Sequence, residues 1–247
     1  MKRKGTQMKY LLPVLSMLVI ACSSNPDPQR IIDRAIETAG GKKFERSTIA
    51  FDFRNRHYIT HRDGGKYSHE RVFNDSTNTI HDYLTNDGFH REINGEKASV
   101  PDTMAVKYAR SVNSTIYFAL LPYGLNDAAV KKKFLGKTTI NDQPYFIIEI
   151  TFAQEGGGED FNDVFLYWIH EQNYTMDYVA YLYFTDGGGL RLRKAYNPRM
   201  INGILFQDYI NYAANADSAT VYQMEALYKQ NLLEELSRIE LENITVN

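Results

Sequence analysis

Residues 48–93 read TIAFDFRNRHYITHRDGGKYSHERVFNDSTNTIHDYLTNDGFHREI. Ile49, Phe51, Phe53, His57, Ile59 and His61 alternate with Thr48, Asp52, Arg54, Arg56, Thr60 and Arg62. A period of two is that of a β-strand, and one strand is expected from 48 to 62. Asp63-Gly64-Gly65 turns the chain back, and Tyr67, His69, Arg71 and Phe73 carry the alternation on. Asp75-Ser76 marks the next turn, residues 78–85 a further strand, Asp87-Gly88 a turn and residues 89–93 a strand. With no crossover helix between them, these strands form an antiparallel meander.

Downstream, residues 101–121 change period. Pro101-Asp102 starts a helix, or two short ones, with Val106, Ala109, Val112, Ile116 and Leu120 apolar, and Pro122 and Gly124 end it. Strands resume at 134–139 and 145–152 around Asn141-Asp142, then at 164–169, 178–184, 190–196 and 204–212. The strand at 145–152 is apolar on both faces except at Glu149. Residues 221–236 fit helix or strand, and 238–246 fit a closing edge strand. Upstream, Asp27-Pro28 is a helix start, Ile31, Ile32, Ala35, Ile36 and Ala39 share one helical face, and Gly40-Gly41 is the stop. The expected fold is mainly β (α+β): a strongly curved antiparallel half-barrel of about nine to eleven strands wrapping two or three helices.

The composition agrees. The 247 residues are 43% hydrophobic and 13% aromatic, so the chain is not disordered. The 18 tyrosines and 13 phenylalanines suit half-buried pleated surfaces. One cysteine excludes an internal disulfide framework. Lys2, Arg3, Lys4 and Lys9 lie in residues 1–21 with no acid among them. Taking those four from the 28 basic residues leaves 24 against 30 acidic ones, an acidic body that is no partner for nucleic acid.

The basic residues 2–9, the short apolar run from Leu11 to Ile20, and Val19-Ile20-Ala21-Cys22 resemble a bacterial lipoprotein signal. That resemblance implies a removable leader at 1–21, lipidation of Cys22, a tether at 22–27 and one domain at 28–247. It also implies a Gram-negative cell envelope, and Ser23 after the cysteine points to the outer membrane. The apolar run is too short to span a bilayer, whereas two or three acyl chains anchor stably. The membrane, through acylated Cys22, is therefore one expected partner, and a monomer is expected.

Tyr167-Trp168-Ile169-His170, then Tyr174-Thr175-Met176-Asp177 and a strand ending at Thr185-Asp186-Gly187, resemble the outer-membrane lipoprotein carrier-like (LolA/LolB-like) superfamily. Phe134-Leu135-Gly136-Lys137, Tyr145-Phe146-Ile147-Ile148 and the opening helix before Ile49-Ala50-Phe51-Asp52-Phe53 also fit it, as in a group of bacterial envelope lipoproteins of this length. His170 departs from the family's aspartate. The resemblance implies an apolar ligand — an acyl chain, lipid or lipoprotein segment — in the concave face. Phe51, Phe53, Phe146, Phe152, Trp168, Tyr181 and Tyr183 are the residues expected to line it, although an ordinary packed core asks for the same residues.

No motif specifies catalysis, and no catalytic residue or cofactor is assigned. His69-Glu70 and His170-Glu171 begin like H-E-x-x-H, but Phe73 and Tyr174 stand where the second histidine belongs. Glu155, Glu159, Asp160 and Asp163 match no calcium-loop spacing. Lys131-Lys132-Lys133 reads as a solvated run, and the βα alternation that carries lysine-based aldolases is absent. His57, His61 and His69 are weak metal candidates: a three-residue loop at 63–65 puts them on one face, a two-residue loop puts His69 on the other. A non-enzymatic binding protein is the main expectation. The alternatives are an envelope enzyme using these histidines, or an interaction module with a filled core.

Overall fold

The computed structural model describes residue 1 and residues 25–155, 161–184, 187–214 and 219–247. The leader from residue 2, Cys22 and the next two residues of the tether, the glycines 156–158 with Glu159 and Asp160, and Thr185-Asp186 lie outside the described residues.

Asp27 caps helix α1 (Pro28–Ala39) by accepting the Gln29 amide at 3.0 Å, and proline takes the first helical position. Gly40 ends it at φ 145°; a Cβ there would meet Ile204, the Gly203 carbonyl and Phe44 at 3.1–3.2 Å, so only glycine closes this corner. Strands β1 (Arg46–Phe53), β2 (Arg56–Asp63), β3 (Lys66–Asn74), β4 (Thr79–Thr85), β5 (Gly88–Ile93) and β6 (Glu96–Lys97) follow as a meander. After α2 (Asp102–Ala119) come β7 (Val130–Ile140), β8 (Gln143–Phe152), β9 (Val164–His170), β10 (Met176–Tyr183), β11 (Gly189–Ile201) and β12 (Ile204–Ala214). Helix α3 (Met224–Lys229), β13 (Leu233–Ile239) and β14 (Glu242–Val246) complete the chain.

The strands form two open antiparallel sheets of seven, ordered β14-β1-β2-β3-β4-β5-β6 and β13-β12-β11-β10-β9-β8-β7. The mainly β class and the wrapped helices are as expected from sequence. The described strands number fourteen, above the expected count, for three local reasons. Residues 48–62 are two strands, because Arg54 and Asn55 take left-handed backbone (φ 50° and 60°) and pair Phe53 with Arg56 across a two-residue turn. The segment open to helix or strand ends in β13, paired with β12, while the closing strand β14 crosses to the other sheet to pair with β1, and the two-residue β6 adds a pairing with β5. Gly64-Gly65, Asn94-Gly95, Asn141-Asp142 and Asn202-Gly203 turn on the same left-handed pairs.

The crossing between sheets is pinned by polar groups. The Leu241 amide donates to Asp208 Oδ1 at 3.0 Å, and Arg199 Nη2 donates to Asp208 Oδ1 at 2.9 Å and to the Leu241 carbonyl at 2.6 Å.

Helix α2 lies inside the curve. Val112, Ile116 and Leu120 pack with Phe44, Phe51 and Tyr58 of the first sheet's side. Tyr117 and Phe118 pack against the second sheet's inner face, which α1 also covers through Ile31, Ile32 and Ala35. The second sheet's outer face is buried too: Tyr145, Leu166, Trp168 and Tyr178 lie under Val221 and Met224. Two covered faces explain why Tyr145–Ile150 of β8, apart from Glu149, and Val164–Ile169 of β9 are apolar on both sides.

Candidate functional site

Helices α1 and α2 pack into the concave space, and two clefts flank α2. The larger, about 300 Å³, lies between α2 and strands β10–β13. Phe53, Phe118, Tyr181, Ile239 and Leu241 give it apolar walls. Arg54, Arg191, Arg193, Gln207 and Asn211 are its polar lining, with Ser114 and Thr115 from α2. Alternate residues of β11 and β12 reach it, because Arg191 and Arg193 point inward while Leu192 packs outward.

The arginines are held by rings. Arg193 lies 3.7 Å from the Phe118 ring centroid and 5.2 Å from that of Tyr181. Arg191 donates to the Leu190 carbonyl at 2.9 Å and to the Tyr183 hydroxyl at 3.2 Å. Burial pushes the Tyr209 phenol well above its ordinary value, against the opposing charge of Arg193, so it stays a neutral donor.

The second cleft, about 240 Å³, lies on the other flank of α2 between β2–β3 and β7–β8, lined by Arg62, His69, Tyr117, Tyr123, Asp127 and Phe152 among others. Burial first, and the Arg62 charge second, hold His69 down at about 4. Burial raises the Asp127 carboxyl, although Arg62 and Lys132 pull the other way. Tyr117 is pushed up to about 12 by burial. This is a polar pocket whose histidine is neutral at ordinary pH.

Of the seven aromatics expected to line one concave face, Phe53, Tyr181 and Tyr183 meet in the larger cleft and Phe152 lines the smaller. Phe51 is fully buried, stacked on Tyr58 at 5.4 Å. Phe146 is packed between Phe134 and Tyr174. Trp168 is a correction. It sits one residue out of phase with Tyr167 and so faces outward, where its Nε1 donates to Glu225 Oε2 at 2.8 Å.

The histidines also separate. Asp63 pairs with Lys66, so the turn has two residues, and His69 opposes Thr60 on the inner face while His57 and His61 point out. His57 bonds Asp52 at 2.6 Å, His61 bonds Thr48 at 2.8 Å and His69 bonds Thr60 at 2.8 Å. Among the described residues no group of three His, Cys, Asp or Glu side chains is placed to hold a metal.

Sequence reasoning missed Phe118, Arg193, Tyr209 and Asn211. Arginines at strand spacing in 190–196 carry no local sign of facing inward; the packing of α2 against the sheet gives them that place.

The first sheet holds a buried ion cluster below α2. Asp82, fully buried, accepts from Arg71 Nη2 and Arg91 Nε at 2.6 Å each, and Arg71 Nη1 donates to Ser111 of α2 at 2.8 Å.

Among solved structures, the chain is similar to a DUF1329 family protein from Desulfovibrio piger at 11% identity. That match covers 89% of this chain and 93% of that one, with a TM-score of 0.49. A LolA superfamily protein from Nitrosomonas europaea matches at 12% identity, 88% and 92% coverage and a TM-score of 0.48. No curated protein matches. A family described as a family of unknown function, DUF6503, matches residues 8–241, and the chain belongs to that family.

Proposed function

We propose that this chain is a lipid-anchored, non-enzymatic binding protein of the bacterial cell envelope that holds an apolar ligand in the larger cleft beside α2. The observation that carries the reading is the cleft itself. A concave sheet already covered by two helices still leaves about 300 Å³ beside α2, walled by Phe53, Phe118, Tyr181, Ile239 and Leu241. That volume is at the lower end for small-molecule sites, and its rings and aliphatic groups share the lining with a large set of polar side chains. An acyl chain, a lipid or a lipoprotein segment matches it.

The anchor is supported by the sequence. The basic and apolar leader before Ala21-Cys22 supplies the lipidation signal, and α1 begins at Pro28. A tether of residues 22–27 reaches at most about 20 Å, which keeps the domain near the bilayer. Among the described residues no helix is long and apolar enough to cross a membrane.

Photolabelling of the full chain with a neutral diazirine-bearing hydrocarbon, mapped by peptide mass spectrometry, tests the ligand reading. Label on α2, β10 and β13 at the cleft walls is expected, and label confined to other surfaces overturns it. For the anchor, Cys22→Ala is expected to abolish palmitate incorporation and release the chain from the membrane fraction; retention there refutes it.

A further inference from the structure

We propose that the larger cleft takes a long-chain carboxylate, its head held by Arg193 and its single tail laid along Phe118, Ile239 and Leu241. The inference rests on the reading that the cleft holds an apolar ligand, and it adds the charge which that ligand carries.

Charge complementarity is the first ground. Arg54, Arg191 and Arg193 line the cleft, and none of its lining residues is acidic. The second ground is the state of Arg193. Its Nε is buried and, among the described residues, has no hydrogen-bond partner. The buried Arg71 and Arg91 share the Asp82 carboxylate. Arg193 has rings instead, Phe118 below and Tyr181 beside it. Stacking occupies the face of the guanidinium and leaves its in-plane N–H groups for a planar acceptor, the geometry of a carboxylate.

A buried donor without an acceptor costs stability, and a carboxylate, which only accepts hydrogen bonds, is the group that relieves it. The adjoining walls are apolar, so a bare anion leaves them unused, and the modest volume suits one chain.

The test uses the full chain and two diazirine-bearing probes that differ only in the head: hexadecanoic acid and hexadecanol. Labelling of cleft peptides is titrated for each. The acid is expected to half-saturate at a concentration about tenfold or more below that of the alcohol, the ratio carried by a charge-assisted hydrogen bond. Arg193→Gln is expected to remove the preference by weakening the acid alone, and Arg193→Lys to keep part of it. Equal labelling by both probes, or a preference unchanged in Arg193→Gln, overturns the carboxylate assignment and leaves the apolar-ligand reading standing. Labelling of the cleft by neither probe removes both. If Arg193→Gln fails to fold, the acid-to-alcohol ratio of the unaltered chain decides.

Discussion

Removing the carboxylate at position 82 leaves two guanidinium groups facing each other in the interior. Arg71 and Arg91 both bond Asp82, and each also meets α2: Arg71 through Ser111, and Arg91 over the Tyr108 ring at 3.7 Å. Asp82→Ala is therefore expected to cost about 3–5 kcal/mol, measured by chemical denaturation. His69 has the opposite character, a buried group held neutral. Its pKa of about 4 lies below the ordinary 6.5, so the unfolded chain takes up a proton that the folded one refuses. Above pH 6.5 this has no effect on stability. As pH falls from 6.5 towards 4, stability drops by up to about 3 kcal/mol. His69→Gln is expected to flatten the stability profile across that window, a change read from denaturation midpoints at successive pH values.

At the scale of elements, α3 is the short helix whose docking is easiest to isolate. It closes the outer face of the second sheet with Met224, and Glu225 accepts from Trp168, Thr138 and Lys229. Those hydrogen bonds hold the Glu225 carboxyl below its ordinary range although burial raises it. Glu225→Ala is expected to destabilise by about 1–3 kcal/mol and to red-shift the emission of the chain's single tryptophan. Most elements were legible in the sequence. The capping of α1, the meander turns and α2 all follow from local chemistry that side-chain identity displays. The break at Arg54-Asn55 is hidden, because the odd-numbered run resumes in phase at His57 after Asn55 and arginine is an unusual residue for a left-handed turn. Trp168 was misplaced for a related reason: on a strand buried on both faces, period two no longer says which side is inward.

At the scale of the whole molecule, the legible and illegible parts of the site divide by distance in the chain. Phe53, Tyr181 and Tyr183 were readable as strand aromatics. That Arg193 and Asn211 share a cleft floor with Phe118 depends on how deeply α2 enters the curve, which no local pattern states. The same non-local logic governs the seam between sheets. Ile49 of β1 is paired with Val246 of β14, and the chain reaches that partner only by crossing from β13 at Leu241. Bringing these residues together closes a loop that contains nearly every other element, and the entropy of that closure is repaid only after the second sheet has formed. Refolding followed by pulsed hydrogen exchange is expected to protect amides of β8–β10 before those shared by β1 and β14. Protection of both sets in one phase would show that the seam zips with the sheet. On that expected order the strand pair that joins the two halves is the last latch, and until it shuts β1, paired only with β2, offers its other side as an aggregation-exposed edge.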